Sequence, residues 1–135
     1  MRYFPRMSYR ETISHVKAAD AVLHVVPRLA QYIWASYPVK CLEALACGLT
    51  PLLSDFECLR KTFNNLGVYV EPQTPRALAT CIENLSNDTN HIQKVLRNGP
   101  GFVRKNFSWA DEFREILRVY DRLLGNKWTD FKEAK

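Results

Sequence analysis

At 135 residues and 47% hydrophobic content, the chain is expected to form one domain with a workable core and no second domain. Its 19 basic and 14 acidic residues leave a net charge of +5 and are interleaved through both halves, which describes a solvated surface more than a nucleic-acid footprint. No apolar run approaches the roughly eighteen residues of a membrane span and the N-terminus has no signal-peptide pattern, so a soluble, cytoplasmic protein is expected.

In chain order, Ser8-Tyr-Arg-Glu11 has the form of a capping box, and Ile13, Val16 and Ala19 follow at helical spacing, predicting a helix over residues 9–19. Ala21-Val-Leu-His-Val-Val26 is an apolar, β-branched run stopped by Pro27, which predicts a strand buried on both faces. Its histidine, His24, is expected to be a core residue satisfied by a backbone group. Residues 28–37 read as a loop whose Tyr32, Trp34 and Tyr37 line a cleft. Pro38 suits the first turn of a helix, Gly48 falls just past its last turn, and residues 50–54 form a second, buried strand. A short helix over 57–63, a turn at Asn64-Asn-Leu-Gly67 and a third strand over 68–70 come next.

Thr74-Pro75 combines an N-cap with a proline at the first helical position, and the helix it opens carries Leu78, Cys81, Ile82 and Leu85 on one face. Two further helical stretches follow, one over 90–106 interrupted at Gly99-Pro-Gly101 and one over 109–124. The second has an apolar face that packs on its own sheet or on a partner. Residues 125–135 form a polar tail, with Trp128 and Phe131 as anchors. Alternating strands and helices imply an α/β fold with parallel strands joined by crossovers. Cys41, Cys47, Cys58 and Cys81 form no CxxC pair and no ligand-like spacing with the three histidines. Free thiols in a reducing compartment are therefore expected, with no metal and no cofactor.

The chemistry concentrates between residues 35 and 55. A loop leading into a helix N-terminus offers unpaired N–H groups and a positive dipole end to an anion. Lys40 adds a full charge there, Ser36 brings a hydroxyl and an amide, and Glu43 stands on the helix itself. Each also has an ordinary reading: a turn residue, a solvated lysine, an exposed helix acid. No residue is assigned a catalytic role. Asp55, just past the second strand, stands at the carboxyl end where it could face the site, and is expected instead to cap the helix that follows.

The run Cys41-Leu-Glu-Ala-Leu-Ala-Cys-Gly-Leu-Thr-Pro-Leu-Leu-Ser-Asp55 resembles the donor-site motif of GT-B glycosyltransferases of the large retaining family 4, or group 1. That family includes sucrose synthase and sugar transferases of lipopolysaccharide and teichoic-acid assembly. Val16-Lys-Ala-Ala-Asp-Ala-Val-Leu23 before the run, and Gly67-Val-Tyr-Val-Glu-Pro-Gln-Thr-Pro-Arg-Ala-Leu78 and Phe107-Ser-Trp109 after it, match in the same order. The resemblance implies that Glu43 contacts the ribose hydroxyls of a sugar nucleotide and that Ser36 and Lys40 face its phosphates. The family's first motif acid, near the donor sugar, falls on Ala35 and is missing; Ser36-Tyr-Pro-Val-Lys40 resembles a Ser-x-Pro-x-Lys variant of the loop.

A full domain of this kind has about six strands, of which three are expected here. The resemblance therefore implies a partial Rossmann-like sheet, the second half of a GT-B C-terminal domain, over residues 1–124 with its motif region at 35–55. The glycine-rich turn and basic pair that grip the donor diphosphate in the family have no match in this sequence. The implied function is transfer of a sugar from a nucleotide diphosphate sugar to an acceptor hydroxyl, once the N-terminal part is supplied. The alternatives are a non-catalytic nucleotide-binding or regulatory half-domain, or an inactive truncated fragment. The strand at 21–26 would present a bare edge, so the expected partners are a separately encoded N-terminal half or a second copy.

Overall fold

In the computed structural model, residues 4–27, 38–71 and 74–124 are described. They divide into two units, Met1–Val103 and Arg104–Lys135. The first unit opens with helix α1 (Tyr9–Lys17), whose start is fixed by a reciprocal cap. Ser8 N–H donates to the Glu11 carboxylate at 2.8 Å, and Glu11 N–H donates to the Ser8 hydroxyl at 3.4 Å.

Strands β1 (Ala21–His24), β2 (Thr50–Ser54) and β3 (Val68–Val70) form a parallel sheet in the order β1-β2-β3. The register pairs Ala21 with Thr50 and His24 with Leu53, then Leu52 with Val68 and Ser54 with Val70. All five residues of the central strand are buried, as a continuous apolar run requires. β1 departs from expectation, because Leu23 is 47% exposed. As an edge strand, β1 has a neighbour on one side only among the described residues, and its faces are correspondingly less covered.

Helix α2 (Val39–Ala46) precedes β2, and α3 (Glu57–Phe63) follows it. Gly48 closes α2 with φ of +81°. Its N–H donates to Leu45 C=O at 3.0 Å and Leu49 N–H donates to Ala44 C=O at 2.9 Å, the paired bonds of a Schellman end. A 3-10 turn over Asn64–Leu66 then leads into β3. Cys41, Leu45, Leu53, Phe56, Leu59, Phe63, Leu66 and Val95 form the core, where α2, β2, α3 and the later helix α5 meet.

Helix α4 (Pro75–Asn87) is capped by Thr74, whose hydroxyl accepts from Ala77 N–H at 3.2 Å. Of its expected apolar face, Leu85 is buried and Ile82 remains half exposed. Helix α5 (Thr89–Asn106) runs without a break through Gly99-Pro-Gly101, where an interruption was expected. Pro100 forfeits one helical hydrogen bond. Packing outweighs that loss: Val95, Gly99 and then Phe102 and Val103 recur at helical spacing and lie on the core. The second unit contains helix α6 (Trp109–Leu124), strongly amphipathic, with Arg114 paired to Asp111 and Arg118 paired to Glu115 along its polar side.

Candidate functional site

Parallel strands bring the carboxyl end of β1 and the start of α2 to the same edge of the sheet, where open α/β folds collect their ligands. Residues 28–37, and Ser36 with them, lie outside the described residues. Pro38 is the N-cap of α2, one position earlier than the first-turn place expected, and its carbonyl accepts from Cys41 N–H at 2.8 Å. Among the described residues no side chain caps this helix, and no acid occupies its first turn. The positive end of the dipole, which no described side chain caps, is therefore directed at the carboxyl edge of the sheet.

Lys40 is exposed in the first turn of α2, and Glu43 lies three residues on, partly buried, one helical turn further along. Each has a distinct neighbour. The charge of Lys40 acts on His24, whose imidazole is held below its usual range first by burial and then by that lysine. His24 Nε2 is buried without a hydrogen-bond partner, so the expected backbone-satisfied core histidine is not what forms. A neutral imidazole with an unmet bond stands at the carboxyl end of β1 instead.

Glu43 is engaged by Tyr9, the first residue of α1. The negative charge of Glu43, followed by a hydrogen bond to it, raises the phenol above its ordinary value of 10.0. Tyr9 is 70% exposed, so this pair is open to solvent at the contact between α1 and α2. Beneath them, Cys41 is fully buried and its thiol is pushed up to about 11 by burial, which makes it a packing group and not a nucleophile.

Asp55 takes a different role from the cap expected of it. The N-cap of α3 is Phe56 with no side-chain bond, while Asp55 pairs with Arg60 through two hydrogen bonds, Nη2 to Oδ2 at 2.6 Å being one. Among the described residues, no group of three or more His, Cys, Asp or Glu could hold a metal ion. No helix among them is long and apolar enough to cross a membrane.

The structure thus places Lys40 and Glu43 on one short helix at the ligand-collecting edge. Tyr9 lies beside Glu43 and His24 feels the charge of Lys40, and neither was assigned to the site from the sequence. Tyr9 carries no local signal, since only the packing of α1 against α2 brings it to Glu43. The family model for group 1 glycosyl transferases matches residues 1–101, three-quarters of the chain. The chain belongs to that family, whose chemistry is glycosyl transfer from an activated sugar donor. No curated protein and no solved structure matches it. The α/β sheet with three parallel strands fits a Rossmann-like half of a GT-B domain.

Proposed function

We propose that this chain is the donor-binding portion of a GT-B glycosyltransferase that moves a sugar from a nucleotide diphosphate sugar to an acceptor hydroxyl. The observation that carries this reading is the start of α2, capped by no described side chain, with Lys40 in its first turn and Glu43 one turn on, in a chain matched by the group 1 family over residues 1–101. In this reading Glu43 accepts hydrogen bonds from the ribose hydroxyls, while Lys40, Ser36 and the first amides of α2 face the diphosphate. The bond between the anomeric carbon and the diphosphate oxygen breaks and its electron pair leaves with the diphosphate. A new bond forms from the acceptor oxygen to that carbon as the acceptor hydroxyl passes its proton to the departing diphosphate oxygen. Developing charge on the leaving diphosphate is what a helix N-terminus and a lysine stabilise, which is why positioning and electrostatics suffice here.

The outer edge of β1 favours a further element of the reading. Among the described residues it pairs with no other strand. The donor site is then completed by another polypeptide, or by a second copy, docking along this edge, and the chain by itself binds nucleotide without turning over. A cytoplasmic location belongs to the same reading, supported by four free cysteines that a reducing compartment keeps unpaired.

Thermal denaturation with UDP, GDP and their sugar conjugates tests it. Saturable stabilisation by a nucleoside diphosphate that Glu43→Ala removes is the expected result. No shift at millimolar nucleotide, or an equal shift in the variant, overturns the assignment.

A further inference from the structure

At the opposite edge of the sheet, the turn before β3 and the first turns of α5 enclose an open cleft of about 450 Å³. Arg60, Asn64, Asn65, Tyr69, His91 and Lys94 line it, and no carboxylate is among its described lining residues. Its volume falls in the range of small-molecule sites. The walls are polar and their donors are held in place. Arg60 is fixed from two directions, with its Nε and Nη2 on Asp55 and its guanidinium carbon 4.4 Å from the centre of the Tyr69 ring. Those bonds leave Nη1 uncommitted to Asp55. The Tyr69 hydroxyl donates to Asn64 C=O at 2.7 Å and fixes the turn that carries both asparagines.

His91 borders the same cleft. Its backbone N–H donates to the Asp88 carboxylate at 2.9 Å, while its side-chain Nε2 is buried with no partner. A buried imidazole nitrogen without a bond is costly unless water or a ligand completes it. Lys94 stands one turn further along the same helix. A lysine, a fixed guanidinium and two primary amides supply more donors than a carboxylate accepts. They suit the three terminal oxygens of a phosphate group.

We propose that this cleft is a second binding site, separate from the donor edge, for a phosphorylated small molecule. Lys94 and Arg60 hold the phosphate, Asn64 and Asn65 add donors, and the remaining space takes the organic part. The site lies at the amino end of β3, whereas the candidate donor site lies at the carboxyl end of β1, so the two assignments stand or fall separately.

Amide-resolved NMR titration of the full chain with ribose 5-phosphate, inorganic phosphate and succinate at matched ionic strength is the test. Saturable shifts on Asn64, Asn65 and His91, tightest with ribose 5-phosphate and weaker with the other two, are expected. Lys94→Gln should weaken that binding about tenfold, as loss of a charge-assisted contact does, and Asn65→Ala should weaken it less. Either substitution sits on accessible surface and is checked for an unchanged melting profile. Shifts absent from these residues overturn the proposal. Equal affinity for succinate or inorganic phosphate, or Lys94→Gln binding like the parent chain, overturns it too.

Discussion

The hydroxyl of Ser54, fully buried, accepts a hydrogen bond from Val26 N–H at 2.8 Å and donates one to Val26 C=O at 3.1 Å. The β1–β2 ladder ends at the pairing of His24 with Leu53, so this side chain takes over where the backbone bonds stop. It ties the chain leaving β1 to the end of β2, immediately before residues 28–37. Ser54→Ala leaves both Val26 groups without that partner and should cost about 1–3 kcal/mol in urea denaturation. Hydrogen exchange at the Val26 amide should accelerate more than exchange in the middle of β2. Unchanged stability would mean that water replaces the hydroxyl at no cost.

Two glycines of α5 should respond in opposite senses. A Cβ on Gly99 would stand 2.6 Å from the Leu45 carbonyl oxygen, a backbone atom of the neighbouring helix, whereas one on Gly101 meets nothing within 4 Å. Gly99→Ala therefore forces α5 and α2 apart and is expected to destabilise by about 1–3 kcal/mol. Gly101→Ala gains only helix propensity and should stabilise by up to about 1 kcal/mol. Thermal melts of the two single variants settle the comparison, and similar effects of both would contradict the packing described.

These glycines also show where the sequence was legible and where it was not. The bounds of β2, α3, β3 and α6 follow from apolar runs and turn residues next to each other in the chain, and the structure reproduces them. At Gly99-Pro-Gly101 the same local signals point to a break, yet contact with Leu45 keeps the helix whole. The candidate site divides in the same way. Lys40 and Glu43 were readable because they share one helix with a motif. Tyr9, and the unsatisfied ring of His24, depend on neighbours distant in sequence and leave no local trace.

Two histidines set the response to acid. Burial holds both His24 and His91 below the ordinary imidazole value of 6.5; Lys40 adds to the effect on His24, while on His91 Asp88 opposes it and Lys94 reinforces it. With the folded value depressed, the unfolded chain binds more protons between the two values, so stability rises with pH across that window. The contribution is complete above 6.5 and is lost as pH falls through the folded values. Tm should therefore drop on acidification below neutrality, before Glu11, held under its usual 4.5 by Ser8, begins to titrate. His24→Gln and His91→Gln should each flatten this slope. A melting point independent of pH across the window would show that neither ring is disfavoured as a cation.

The edge of β1 yields the last prediction. Leu23, 47% exposed in a strand with one neighbour among the described residues, joins unpaired backbone groups to an accessible apolar side chain. Such an edge is a template for another strand. On its own the chain should elute in size-exclusion chromatography with an apparent mass that rises with concentration. Leu23→Lys adds a charge to the edge without touching the core cluster, so it should alter stability by no more than about 0.5 kcal/mol while shifting elution toward the monomer. Concentration-independent monomer in the parent chain would show that this edge is protected. Equal self-association in the variant would move the contact to another face, and completion of the donor site along β1 would then need a different geometry.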